Sequence, residues 1–146
     1  MNKEDVKHIV VHCSITPPSM DIGLREIDRL HRERGFLGCG YHFIIRRDGT
    51  LEFGRPLHRA GAHVRRKNKF TVGICLIGGM RQDNPNPEIN YTDKQMDVLR
   101  ETIDKLIAEE FPTATVKGHI DFDKGKTCPN FDAGHWYEAD EIIPTI

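Results

Sequence analysis

Residues 71–79 are almost continuously apolar. A strand with one wet face alternates apolar and polar residues. This one does not, so it reads as a central strand buried on both faces. Such a strand needs a sheet with helices packed over it, and the rest of the chain supplies both kinds of element. Residues 7–12 are rich in β-branched side chains and read as a short first strand that ends before Pro17 and Pro18. Residues 41–46 form a further strand. Asp48 and Gly49 are a strong hairpin signal, after which residues 51–55 return antiparallel. Residues 114–117 make one more short strand. Leu24, Ile27, Leu30 and His31 recur at helical spacing, with Asp21 as the expected N-cap and Gly35 as the stop. Arg25, Asp28, Arg29 and Arg32 then face water. Thr92 and Gln95 form a capping box that opens a long helix striped by Met96, Leu99, Ile103 and Leu106 and closed by Pro112. Asp132 caps a last helix carrying Trp136 and Tyr137. Strands and helices interleave, so the fold class is α/β: a single domain over residues 1–146 with a mixed central β-sheet flanked by α-helices.

A chain of 146 residues is enough for one domain with a substantial core. Its formal charge of -1 argues against nucleic acid as a bulk electrostatic partner. The first seven residues are polar, and no apolar run approaches the ~20 residues that span a bilayer. The expectation is a chain made in the cytoplasm, without a signal peptide and without membrane insertion. Four cysteines stand at 13, 39, 75 and 128, and without a secretion signal they are expected to be free thiols. Cys13 and Cys75 read as small buried hydrophobes. Cys128 lies in a polar loop beside Lys126, where burial explains it less well.

That loop carries the chemistry. His119 and Cys128 are separated by eight residues, and Lys126 precedes the cysteine by two. Zn²⁺ favours imidazole nitrogen and thiolate sulfur, and a catalytic zinc takes three protein ligands and keeps one position open. His12, where the first strand opens into a loop, is the candidate third ligand; the alternative for it is a half-buried strand histidine bonded to backbone. No His-Glu-x-x-His helix and no Cys-x-x-Cys pair occurs, which argues against a helical metalloprotease site and a closed structural zinc site. Tyr41 is either a packing aromatic or a phenol that exchanges a hydrogen bond with a reacting group. The basic stretch 61–69 is either a solvated loop or a wall for an anionic substrate or partner.

These features occur in a telling order: His12 with Cys13 and Ser14, Arg25 with Glu26, Gly40 with Tyr41 and His42, Arg47 with Asp48 and Gly49, Ala62 with His63, Asn68, the 72–79 run, and the His119 to Cys128 loop. Together they resemble the phage zinc amidases of the T-seven lysozyme type, kin to animal peptidoglycan recognition proteins, over residues 7–140. The resemblance implies N-acetylmuramoyl-L-alanine amidase activity on peptidoglycan, with one zinc held by His12, His119 and Cys128. It implies Tyr41 and Lys126 as catalytic residues, and His63 and Asn68 as lining of the substrate groove. Two departures matter. Cys75 stands where some relatives carry a glutamate general base, which leaves the base open. The loop before Cys128 is one residue longer, so Lys124 is the alternative to Lys126. A phage or prophage endolysin that reaches the wall through a holin or a similar route is the expected role. A wall-recycling enzyme, a non-catalytic wall-binding module and an added phage RNA polymerase partner are the alternatives the resemblance raises.

Overall fold

The computed structural model describes residues 1–142 and 144. Five strands form one sheet: β1 (His8–Cys13), β2 (Phe43–Ile45), β3 (Leu51–Phe53), β4 (Thr71–Leu76) and β5 (Thr115–Gly118). Three helices accompany them: α1 (Leu24–Glu33), α2 (Asp93–Glu109) and α3 (Ala133–Glu138). The strand order is β3-β2-β4-β1-β5, which puts the apolar run in the middle. All six β4 residues are buried. β1 runs parallel to β4 and β5, β2 runs parallel to β4, and β2 and β3 pair as an antiparallel hairpin. The sheet is therefore mixed, in a single α/β domain, as expected.

The burial of β4 on both faces follows from side-chain alternation. Val72, Ile74 and Leu76 join Phe43 and Ile45 in the larger core beneath α2 and α3, with Leu99, Ile103 and Trp136. Cys75 joins Ile44 and Ile77 in a smaller core on the opposite face, against Ile27 of α1. The capping box forms as read: Gln95 N–H donates to Thr92 Oγ1 at 3.1 Å, and Thr92 N–H donates to Gln95 Oε1 at 2.9 Å. The fully buried Gln95 amide also donates to Ile45 O and Ile77 O, which ties the start of α2 to the ends of β2 and β4.

The start of α1 differs from expectation. Its N-cap is Gly23, not Asp21. The free N–H groups of the first turn are met by carboxylates from other directions: Leu24 N–H donates to Glu52 of β3 at 2.9 Å, and Gly23 N–H donates to Glu26 at 3.3 Å. Asp21 instead pairs with Arg46. Leu30, expected on the apolar stripe, is 43% exposed, because only Ile27 and His31 of α1 are buried.

Candidate metal centre

β1 and β5 lie side by side and parallel, with Val11 opposite Gly118 as their last pair. His12 on β1 and His119, the first residue past β5, follow directly, which puts both at the carboxyl end of the sheet. This is where parallel sheets place their ligands. At His119 the chain turns into a short 3₁₀ helix, His119–Asp121, closed by Gly118 N–H donating to Asp121 Oδ2 at 2.8 Å. The chain then loops back. Ile120 N–H donates to Cys128 O at 3.1 Å, Tyr91 O–H to Pro129 O at 2.7 Å, and the Asn130 amide to Gly79 O at 2.7 Å. These bonds press Cys128 against the end of β1, where Cys13 N–H points at its sulfur at 2.9 Å. Cys128 is thus 3% exposed, a correction to its reading as a residue that burial explains poorly.

The donor atoms of His12, His119 and Cys128 all lie within 4.8 Å of one another. The two histidines face each other through Nδ1 atoms 3.1 Å apart. Two imidazole nitrogens and one sulfur at this spacing fit a zinc site with an open fourth position. Burial lowers the pKa of His12 well below its ordinary value, with His63 and His119 adding to the effect. Burial and then the Lys126 ammonium lower that of His119. Both rings are held neutral, the form that binds metal. Without metal, the Cys128 thiol is held well above the usual range by its hydrogen bond to the Cys13 sulfur and by burial. A metal ion held there would take the place of that proton.

The three residues line a cleft of about 590 Å³ with Tyr41, His63, Asn68 and Lys126. Lys124 is not among the lining residues, whereas Lys126 is. Tyr41 lies just ahead of β2, its ring 5.0 Å from that of His12. Burial pushes its phenol well above the ordinary pKa, so the hydroxyl keeps its proton at neutral pH. Asn68 turns its amide oxygen inward to accept from His63 N–H and Val64 N–H, both at 2.9 Å, and so shapes the loop that carries His63. His63 in turn places Nδ1 2.8 Å from His12 Nε2. Burial depresses the His63 pKa to about 3. Cys75 sits opposite His12 in the β1–β4 register, fully buried, its thiol pushed well up by burial.

His31 and Arg34 had no functional signal in the sequence, whereas Arg65 belongs to the basic stretch read as a possible wall. His31 lines the cleft, and its Nδ1 accepts from Gly40 N–H at 2.7 Å, which holds the approach to Tyr41. Arg34, stacked over Phe36 at 5.1 Å, and Arg65 of the basic loop also line it. Among the described residues no helix is long and apolar enough to cross a membrane.

The sequence profile of the N-acetylmuramoyl-L-alanine amidases matches residues 2–131. The chain is 43% identical over 141 residues to an endolysin of Klebsiella phage KP32, covering 97% of this chain and 91% of that one. It is 40% identical, with the same coverage, to the endolysin of Escherichia phage T7. Among solved structures it is similar to the N-acetylmuramoyl-L-alanine amidase LysC from Clostridium intestinale, with a TM-score of 0.72 at 28% identity over 94% of this chain and 83% of that chain. None of these matches speaks for a phage RNA polymerase as a partner. A match over nearly the whole chain, on the same fold, means that this protein belongs to the N-acetylmuramoyl-L-alanine amidase family.

Proposed function

We propose that residues 1–146 act as one zinc-dependent amidase domain of the endolysin kind, which cuts the amide between N-acetylmuramic acid and the first L-alanine of the peptidoglycan stem. The observation that carries this reading is the convergence of the His12, His119 and Cys128 donor atoms within 4.8 Å, in a cleft that also holds Tyr41 and Lys126. Zinc bound there supplies Lewis acidity toward the scissile carbonyl and lowers the pKa of a water to about 7. The protein groups do the rest. Lys126 brings a positive charge to the side of His119, where it stabilises the oxyanion that develops as the carbonyl becomes tetrahedral. Tyr41, which keeps its proton and lines the cleft, serves proton transfer to the leaving amine. Cys75 keeps its proton as well and does not act as the base. His63 and Asn68 build the wall of the groove beside the metal ligands. In this reading the enzyme acts on the wall after its release from the site of synthesis.

The test is to digest purified peptidoglycan with the zinc-loaded protein and to follow newly exposed N-terminal alanine. Its appearance, with no new reducing sugar ends, is the expected result. Binding to the wall with no alanine exposed would replace this reading with that of a recognition module.

A further inference from the structure

The hydrogen bonds behind His12 have only one consistent direction. The Lys67 carbonyl can only accept, and Thr71 Oγ1 donates its single proton to it at 3.0 Å. Toward His63 Nε2, 3.2 Å away, Thr71 Oγ1 must therefore accept, which places the ring proton of His63 on Nε2. The other nitrogen, Nδ1, then carries a lone pair and faces His12 Nε2 at 2.8 Å. His12 answers with a proton on Nε2, and its Nδ1 is left bare. That bare atom is the one facing His119 Nδ1 in the donor cluster.

The frame around this chain of bonds is rigid. Thr71 is fully buried at the start of β4. The His63 backbone is held by Asn68, and its ring lies so close over Gly73 that a Cβ there would meet Nδ1 at 2.7 Å.

We infer that His63 and Thr71 are positioning residues for the metal centre: from the Lys67 carbonyl through Thr71 and His63, they set the tautomer and ring orientation of His12. His63 then acts through a metal ligand, whatever it also contributes as groove lining. This rests on the reading of His12 as a ligand. Partners of this kind typically change metal affinity 10–100-fold when removed.

Four variants separate the relay from simple packing. His63→Leu removes the acceptor and His63→Asn restores one near the position of Nδ1. Thr71→Val keeps the shape without the hydroxyl, and Thr71→Ser keeps the hydroxyl. Zinc affinity is measured by chelator competition, and ring ¹⁵N shifts of His12 are measured by NMR in the metal-free proteins. Thermal unfolding of each metal-free variant establishes that it is folded. The inference expects His12 protonated on Nε2 in the wild type and mixed tautomers in His63→Leu and Thr71→Val. It expects the zinc dissociation constant to rise about 10–100-fold in His63→Leu and about 10-fold in Thr71→Val, with His63→Asn and Thr71→Ser close to wild type. Wild-type affinity in folded His63→Leu, or a wild-type His12 protonated on Nδ1, overturns it. If His63→Leu does not fold, Thr71→Val decides. If the wild type takes up no zinc, the metal reading itself fails, and the ¹⁵N shifts still decide whether the relay exists.

Discussion

Gly73→Ala probes the support of the metal centre with a single methyl group. Gly73 lies inside β4, and the strand backbone accepts alanine there. The obstacle is the His63 ring: a Cβ would lie 2.7 Å from Nδ1, 2.8 Å from Cγ and 2.9 Å from Cδ2. Comfortable contacts begin near 3.5 Å, so the ring must withdraw by roughly 0.7 Å. The bond between His63 and His12 is 2.8 Å long. A shift of that size stretches it to about 3.5 Å or tilts it out of line, beyond a useful hydrogen bond. Overpacking of this kind costs about 1–3 kcal/mol. Replacing a strand glycine returns roughly 0.5–1 kcal/mol. The net loss of about 0–2.5 kcal/mol lowers Tm by up to about 10 °C in a chain of this size. The zinc dissociation constant rises about 10–100-fold, because a partner of His12 is displaced. Chelator competition and thermal melts of the metal-free protein read the two effects separately. A Gly73→Ala protein with wild-type zinc affinity and wild-type Tm would refute the reasoning.

Other expectations follow from the same geometry. Tyr41→Phe keeps the ring and removes only the hydroxyl; alanine release should fall about 10²-fold or more while zinc stays at one per chain, and unchanged kcat would remove Tyr41 from the chemistry. Lys126→Ala should lower kcat by a similar ~10²–10³ with zinc retained, whereas Lys124→Ala should be near wild type; the reverse order would exchange their roles. Gln95→Leu removes one donor each from Ile45 O and Ile77 O, which keep Ile77 N–H and the Arg47 guanidinium as their other donors, so urea unfolding should show a loss of about 1–3 kcal/mol, and a loss under about 0.5 kcal/mol would mean that the amide network is dispensable. Stability should also fall as pH drops below about 6.5. Burial lowers the pKa of His12, His31, His42 and His63 in the fold, so the unfolded chain takes up protons that the folded chain refuses. Each such histidine that stays neutral contributes roughly 1.4 kcal/mol per pH unit in that window. His42 is the clearest case, because its Nδ1 already accepts from Gly73 N–H. An equal denaturant midpoint at pH 7.5 and 5.5 would contradict this.

Legibility in the sequence followed the range of the forces involved. The apolar run of β4, the turn at Asp48 and Gly49, and the capping box at Thr92 and Gln95 are written in neighbouring residues, and all three appear in the fold. The first-turn partners of α1 are not local: Glu52 arrives from β3, and no pattern around residues 21–26 announces it. The same holds within the site. His12, His119 and Cys128 suggested zinc by residue type alone, but their meeting depends on β1 pairing with β5, a contact across more than a hundred residues. The hydrogen bonds of His63 to His12 and Thr71 had no sequence signal, because a histidine in a basic loop looks the same whether its ring turns outward or inward.

The central claim is that His12, His119 and Cys128 hold one zinc on which amide cleavage depends. Zinc X-ray absorption on the purified protein, alongside Cys128→Ala and with alanine release followed on the same samples, tests it most directly. The account expects about one zinc per chain in the native protein, with one sulfur near 2.3 Å and two nitrogens at about 2.0–2.1 Å. It expects the sulfur signal and the release of alanine to disappear together in Cys128→Ala. A native spectrum without sulfur, or a Cys128→Ala protein that releases alanine at the native rate, would contradict it.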